Sequence, residues 1–231
     1  MEKPIKIDYC FRFDNGELKT FNILIDRVTL NLISDKNPEP PEWTVLERNK
    51  CSICSLDGRS KKYCPIALNL SAITDEFQDF FSYQNVNVTV NTYERTYSKE
   101  TNIQEGLGGL IGVIMVTSEC PVMEYIKPMV RFHLPFANLL ETVYRMSSMY
   151  LLSQYFLKMD GEPAGFDLKG LKEIYEKISS VNRDFSQRIS EAAKKDASAN
   201  ALVNLDCFAN MIIDADRVLQ DIKLDYSIYF S

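Results

Sequence analysis

The chain has 231 residues, 45% of them hydrophobic and 25% charged, with a formal net charge of −6 at pH 7. Such values exclude a disordered chain, and the acidic balance speaks against a surface built around phosphate contacts, so nucleic acid is not an expected partner. The length suits a single domain, 1–231, with an N-terminal β and cysteine-knuckle region over about 1–100 and a helical bundle over about 101–231.

The N-terminus reads as a β-hairpin. Ile5, Ile7, Tyr9, Phe11 and Phe13 alternate with polar residues, Asp14-Asn15-Gly16 supplies a turn, and "LKTFNILI" returns. "NPEPPEW", Asn37 to Trp43, is a stiff loop that brings the only tryptophan to the edge of a cysteine cluster. After Cys64, "PIALNLSAITDEFQDFF" has helical spacing, and Val86, Val88 and Val90 mark one later strand that ends or bulges near Tyr93 and Tyr97. "GLGGLIG", 106–112, lacks the Lys-Ser/Thr of a phosphate loop, so its glycines are expected to permit close helix contact.

From Phe136 to Met159 the chain is apolar on nearly all sides, as a central buried helix is. Asp167 is placed to cap the next helix. Leu168 to Ala192 and Leu202 to Ile222 then keep three-four spacing, giving an antiparallel helical pair. The expected fold is α+β: a small antiparallel sheet, made of the hairpin plus one later strand, against a mostly helical bundle, the two stapled by a metal.

The staple is read from "CSICSLDGRSKKYCP", 51–65. Cys51-x2-Cys54 is the knuckle spacing that lets two thiolates meet one tetrahedral metal. Cys64 and Cys120 each precede a proline, and proline is favoured at the first helical position, so both cysteines are expected at helix starts, where unpaired N–H groups favour thiolate. The candidate metal set is Cys51, Cys54, Cys64 and Cys120, with His133 as the alternative fourth ligand. Zinc is the expected metal and an iron–sulfur cluster its rival. Cys10 and Cys207 are read as non-ligands.

No secretion signal precedes the hairpin, and the longest nearly uncharged run, 106–118, is too short for a bilayer. The expected location is therefore cytoplasmic, without a membrane, where clustered thiols serve as ligands rather than disulfides. Catalytic signatures are absent. Glu141 and Arg145 sit four apart and are expected to pair inside the bundle; the alternative is a small-molecule pocket of an enzyme, with Arg131, His133, Glu141 and Arg145 around an anionic ligand. The leading reading is a binding or regulatory module with a protein partner.

"PEWTVLERNKCSIC", "YCPIALNL", "YERTYSKETNIQEGLGGLIGVIMVTSECP" and "RFHLPFANLLETVYRMSSMYLLSQYF" together resemble an uncharacterised family of bacterial proteins, a domain of unknown function with paired Cys-Pro motifs. The resemblance runs from about Ile5 to Met159 and leaves out the C-terminal helical pair. It implies bacterial cytosol and a small residue where Glu119 stands here, and it implies no activity.

Overall fold

The computed structural model describes residues 3–34 and 39–230. Alternation of apolar residues builds β1 (Ile5–Arg12) and β2 (Leu18–Ile25), paired antiparallel from Ile5↔Ile25 to Arg12↔Leu18. Gly16, at φ +84°, takes the left-handed position the tight turn requires. A two-residue strand β3 (Leu32–Ile33) edges β2. Asn37 and Pro38 of the proline-rich loop lie outside the described residues; the rest of it leads to a 3-10 turn, Glu42–Thr44. Helix α1 (Pro65–Phe77) buries Ile66, Leu70, Ile73 and Phe77 as its spacing requires.

The later strand β4 (Asn85–Asn91) pairs with β1, as expected, and a further strand, β5 (Thr96–Asn102), pairs with β4. Among the described residues the sheet therefore has five strands, in the order β3-β2-β1-β4-β5, all antiparallel. Pairing does end near Tyr93, but only for a turn closed by Thr92 and Arg95. The added strand is nearly all polar, since it is an edge with little to bury, and so it lacks the alternation that marks β4.

Helix α2 (Ile103–Thr117) occupies the centre of the molecule and buries residues on every side. Its glycines face two neighbours. A Cβ at Gly106 would stand 2.8 Å from Val88 and 3.0 Å from Phe11 of the sheet, and one at Gly109 would stand 2.8 Å from the Tyr9 hydroxyl. Gly108 and Gly112 lie instead toward Ala201 and Leu205. Gly106→Ala is thus expected to lower stability by about 1–3 kcal/mol, because both neighbours are packed side chains of the sheet. Gly108→Ala, whose methyl meets only a carbonyl at 3.9 Å, is the matched control and should be neutral or stabilising in the same urea titration.

A short helix α3 (Pro128–Arg131) leads to α4 (Leu139–Met159). The expectation that this apolar helix is central and buried fails. Only Val143, Ser147 and Tyr150 are buried, while Leu152, Tyr155, Phe156 and Met159 are about half exposed or more. The glycines of α2 let it approach the sheet more closely than the aromatic and Met side chains of α4 allow, and α2 takes the central place.

Helix α5 (Lys169–Ala192) starts after Leu168, with the Asp167 carboxylate accepting from the Lys169 amide. It packs against α6 (Ala197–Ile213), which also covers α2. The expected single helix through Ile222 is broken at Asp214, and α7 (Asp216–Asp225) runs on against α4. Among the described residues no helix is long and apolar enough to cross a membrane.

Candidate functional site

The cysteine loop is closed at its base by two main-chain bonds, Leu46 N–H to Lys62 O at 2.9 Å and Cys64 N–H to Thr44 O at 2.8 Å. Within it, Cys54 N–H donates to Cys51 O at 3.0 Å, which forms the knuckle turn. Cys64 is the N-cap of α1 with Pro65 at the first helical position, as expected. The amides of Ile66 and Ala67 favour its thiolate without closing a full capping bond. Cys120 also precedes a helical turn, but a single 3-10 one (Met123–Ile126) rather than an α-helix, and the amides of Met123 and Val122 act on its sulfur in the same way. Glu119 enters that turn at φ +61°, a left-handed conformation that favours glycine.

The four cysteines are electrostatic neighbours. Burial pushes the Cys51 thiol up to about 12, and the charges of Cys64, Asp184 and Cys120 push the same way. Burial likewise raises Cys64 and Cys120, with Cys54 adding to both and Cys64 to Cys120. The sulfurs nonetheless do not close into a ligand set: among the described residues no three His, Cys, Asp or Glu side chains stand in an arrangement that could hold a metal ion. His133 stands elsewhere, its Nε2 hydrogen-bonded to the Tyr9 hydroxyl at 2.7 Å. Cys10 lies on β1 and Cys207 is exposed on α6.

What organises the loop comes from α5. Arg188 is 1% exposed. Its Nη1 donates to the carbonyls of Trp43 at 2.9 Å and Val45 at 2.8 Å. Its Nη2 donates to Leu46 at 3.0 Å and Asn49 at 2.8 Å. The same guanidinium lowers the thiol pKa values of Cys51 and Cys64. One turn earlier, Asp184 accepts from both the amide and the hydroxyl of Ser52, at 2.7 and 2.8 Å. Cysteine spacing points to neither Asp184 nor Arg188. The legible signal was an arginine inside the apolar stripe Val181, Phe185, Ile189, one residue from a core position.

The second candidate cluster is partly assembled. Arg131, His133 and Arg145 all line a cleft of 490 Å³. Glu141 does not join them, and the expected Glu141–Arg145 ion pair is not made. Glu141 instead forms a capping box with Asn138 at the start of α4. Arg145 Nη2 donates to the carbonyl of Phe132 at 2.6 Å, and Arg131 donates to that of Arg27. His133 and Arg145 also line a second, mostly apolar cavity of 260 Å³. Burial and the Arg145 charge hold the His133 imidazole neutral, with its pKa down at about 3.

The sequence model of one protein family, described as a domain of unknown function, matches residues 7–227. The chain belongs to this family, DUF6901. No curated protein and no solved structure matches it. The DUF6901 match reaches well past Met159, so α5 and α6 are part of the family's domain rather than an appendage. Asp184 and Arg188, which hold the cysteine loop, lie within it.

Proposed function

We propose that this DUF6901 chain is a zinc-stabilised binding module of the cytoplasm, its metal held by Cys51, Cys54, Cys64 and Cys120. One observation carries the reading. Four thiols from three separate segments lie near enough to act on one another electrostatically, and two of them, Cys51 and Cys64, also feel the buried guanidinium of Arg188, whose Nε–H has no hydrogen-bond partner among the described residues. A tetrathiolate zinc carries excess negative charge, and a buried charge needs a counter-charge and donors. Arg188 supplies the first, and the helix-start amides at Cys64 and Cys120 supply the second.

Magnitudes favour closure of the set on metal. Ordering four cysteine side chains costs about 0.5–1.5 kcal/mol each, against about 10–16 kcal/mol for structural zinc. The exposed apolar residues of α4, Leu152, Tyr155, Phe156 and Met159, are the surface offered to a protein partner.

The test is metal content and visible absorption of protein purified anaerobically. The expected result is about one zinc per chain and no visible band, with zinc lost from a variant carrying Cys51→Ser and Cys54→Ser. Iron and sulfide with a broad band near about 400 nm would replace zinc by a cluster on the same thiols. A metal-free wild-type protein overturns the reading.

A further inference from the structure

The apolar cavity between α2, α4, α5 and α6 is lined by Val113, Val116, Met146, Ile178 and Ile212 among others, with Arg145 and Tyr175 also on its lining. Tyr175 sits there, 3% exposed, with its hydroxyl buried and without a hydrogen-bond partner. An orphaned buried hydroxyl is unfavourable, and native cores rarely keep one without a use for it. Arg145 faces the same space and is electrostatically coupled to Tyr175. No carboxylate bridges to it among the described residues, and only its Nη2 is held, by the main-chain carbonyls of Phe132 and Met129. The single carboxylate on the lining among the described residues, Glu105, is already engaged by Lys99 at 2.5 Å and by Thr101.

We propose that this cavity binds a small monocarboxylic acid with an apolar body, its carboxylate taken by Arg145 and the Tyr175 hydroxyl and its body by the aliphatic and Met side chains. The chemistry selects that class in three ways. One unpaired guanidinium matches one negative charge, and its planar fork matches a carboxylate. Burial keeps the Tyr175 phenol protonated, so it donates rather than accepts. The 260 Å³ of mostly apolar space falls just below the usual range for ligand sites, which suits a medium-chain or single-ring acid rather than a cofactor. The inference does not rest on the metal.

Octanoate is the probe, with octanol and octyl phosphate as matched comparisons, and calorimetry the readout. Octanoate is expected to bind at least about tenfold more tightly than octanol, since the alcohol leaves the guanidinium unanswered. Arg145→Met should weaken octanoate by about a hundredfold or abolish its binding. Because Arg145 also braces two carbonyls, Tyr175→Phe is the cleaner variant. It removes only the orphaned hydroxyl, so the free protein should melt at the same temperature or higher, while octanoate binds about tenfold more weakly. Absence of octanoate binding to the wild-type protein overturns the proposal. So does equal affinity for octanol, unchanged affinity in Tyr175→Phe, or a preference for octyl phosphate, which would assign selection to the cations of the neighbouring cleft.

Discussion

Arg188→Met should cost about 3–5 kcal/mol, the range for breaking a buried charged network by removing one partner. Methionine keeps much of the volume, so the loss is not a cavity effect. It comes from the carbonyls of Trp43, Val45, Leu46 and Asn49, which lose their shared donor. An unsatisfied buried group costs about 1–3 kcal/mol, and partial access of the loop to water keeps the sum below four full penalties. For a chain of this size the melting temperature should fall by about 2–4 °C per kcal/mol, evaluated at the midpoint. Arg188→Lys should fall between the two, because a single ammonium cannot span four carbonyls set as a fork expects. Urea denaturation gives the free energies, and the rate at which a thiol reagent modifies Cys51 and Cys54 reports the loop. An unchanged midpoint together with unchanged thiol reactivity would show that the loop holds itself.

Acid should destabilise the protein through one residue. His133 titrates at about 3 in the folded chain, depressed by burial first and by Arg145 second, against 6.5 for the free side chain. The unfolded chain therefore binds a proton below 6.5 while the folded one does not. The stabilisation from a neutral His133 is complete above that value and is lost as the pH falls toward 3. It amounts to about 2 kcal/mol by pH 5. The attribution is unusually clean, since the chain has one histidine and ordinary carboxylates titrate lower. His133→Gln can still hydrogen-bond to the Tyr9 hydroxyl but does not titrate. Its urea midpoint should hold nearly constant between pH 7.5 and 5.5, where that of the wild-type protein declines. Parallel declines in both proteins would move the acid sensitivity elsewhere.

The elements with one clear apolar face were legible. The hairpin, α1 and α5 each show a single period that matches one buried side, and α5 carries it through Val181, Phe185 and Ile189. Where every side was apolar, the pattern ranked the helices wrongly. It favoured α4 over the glycine-rich α2, although small residues decide which helix can approach the sheet. β5 escaped because a polar edge strand has no period to detect. The cysteine neighbourhood was readable in part, since the knuckle spacing reflects the turn at Cys51–Cys54 and Cys64-Pro65 opens α1, whereas Cys120-Pro121 precedes only a 3-10 turn. Its organiser was not. The partners of Arg188 are main-chain carbonyls, and carbonyls carry no sequence identity. Tyr175 was hidden for the opposite reason, because a tyrosine in an apolar stripe reads as core whether or not its hydroxyl is satisfied.

The bonds from Arg188 to the loop span 139 to 145 residues of chain. A ribosome adding about 5–20 residues per second leaves a gap on the order of ten seconds between making the two ends of those bonds. Through that interval the nascent chain carries Cys51, Cys54 and Cys64 on a loop with no organiser, and Cys120 joins them still without it. The thiols are born before the helix that shapes their surroundings. Their first encounters with metal, oxidant or chaperone therefore happen on an open loop, and the finished geometry is imposed only when α5 folds down behind them.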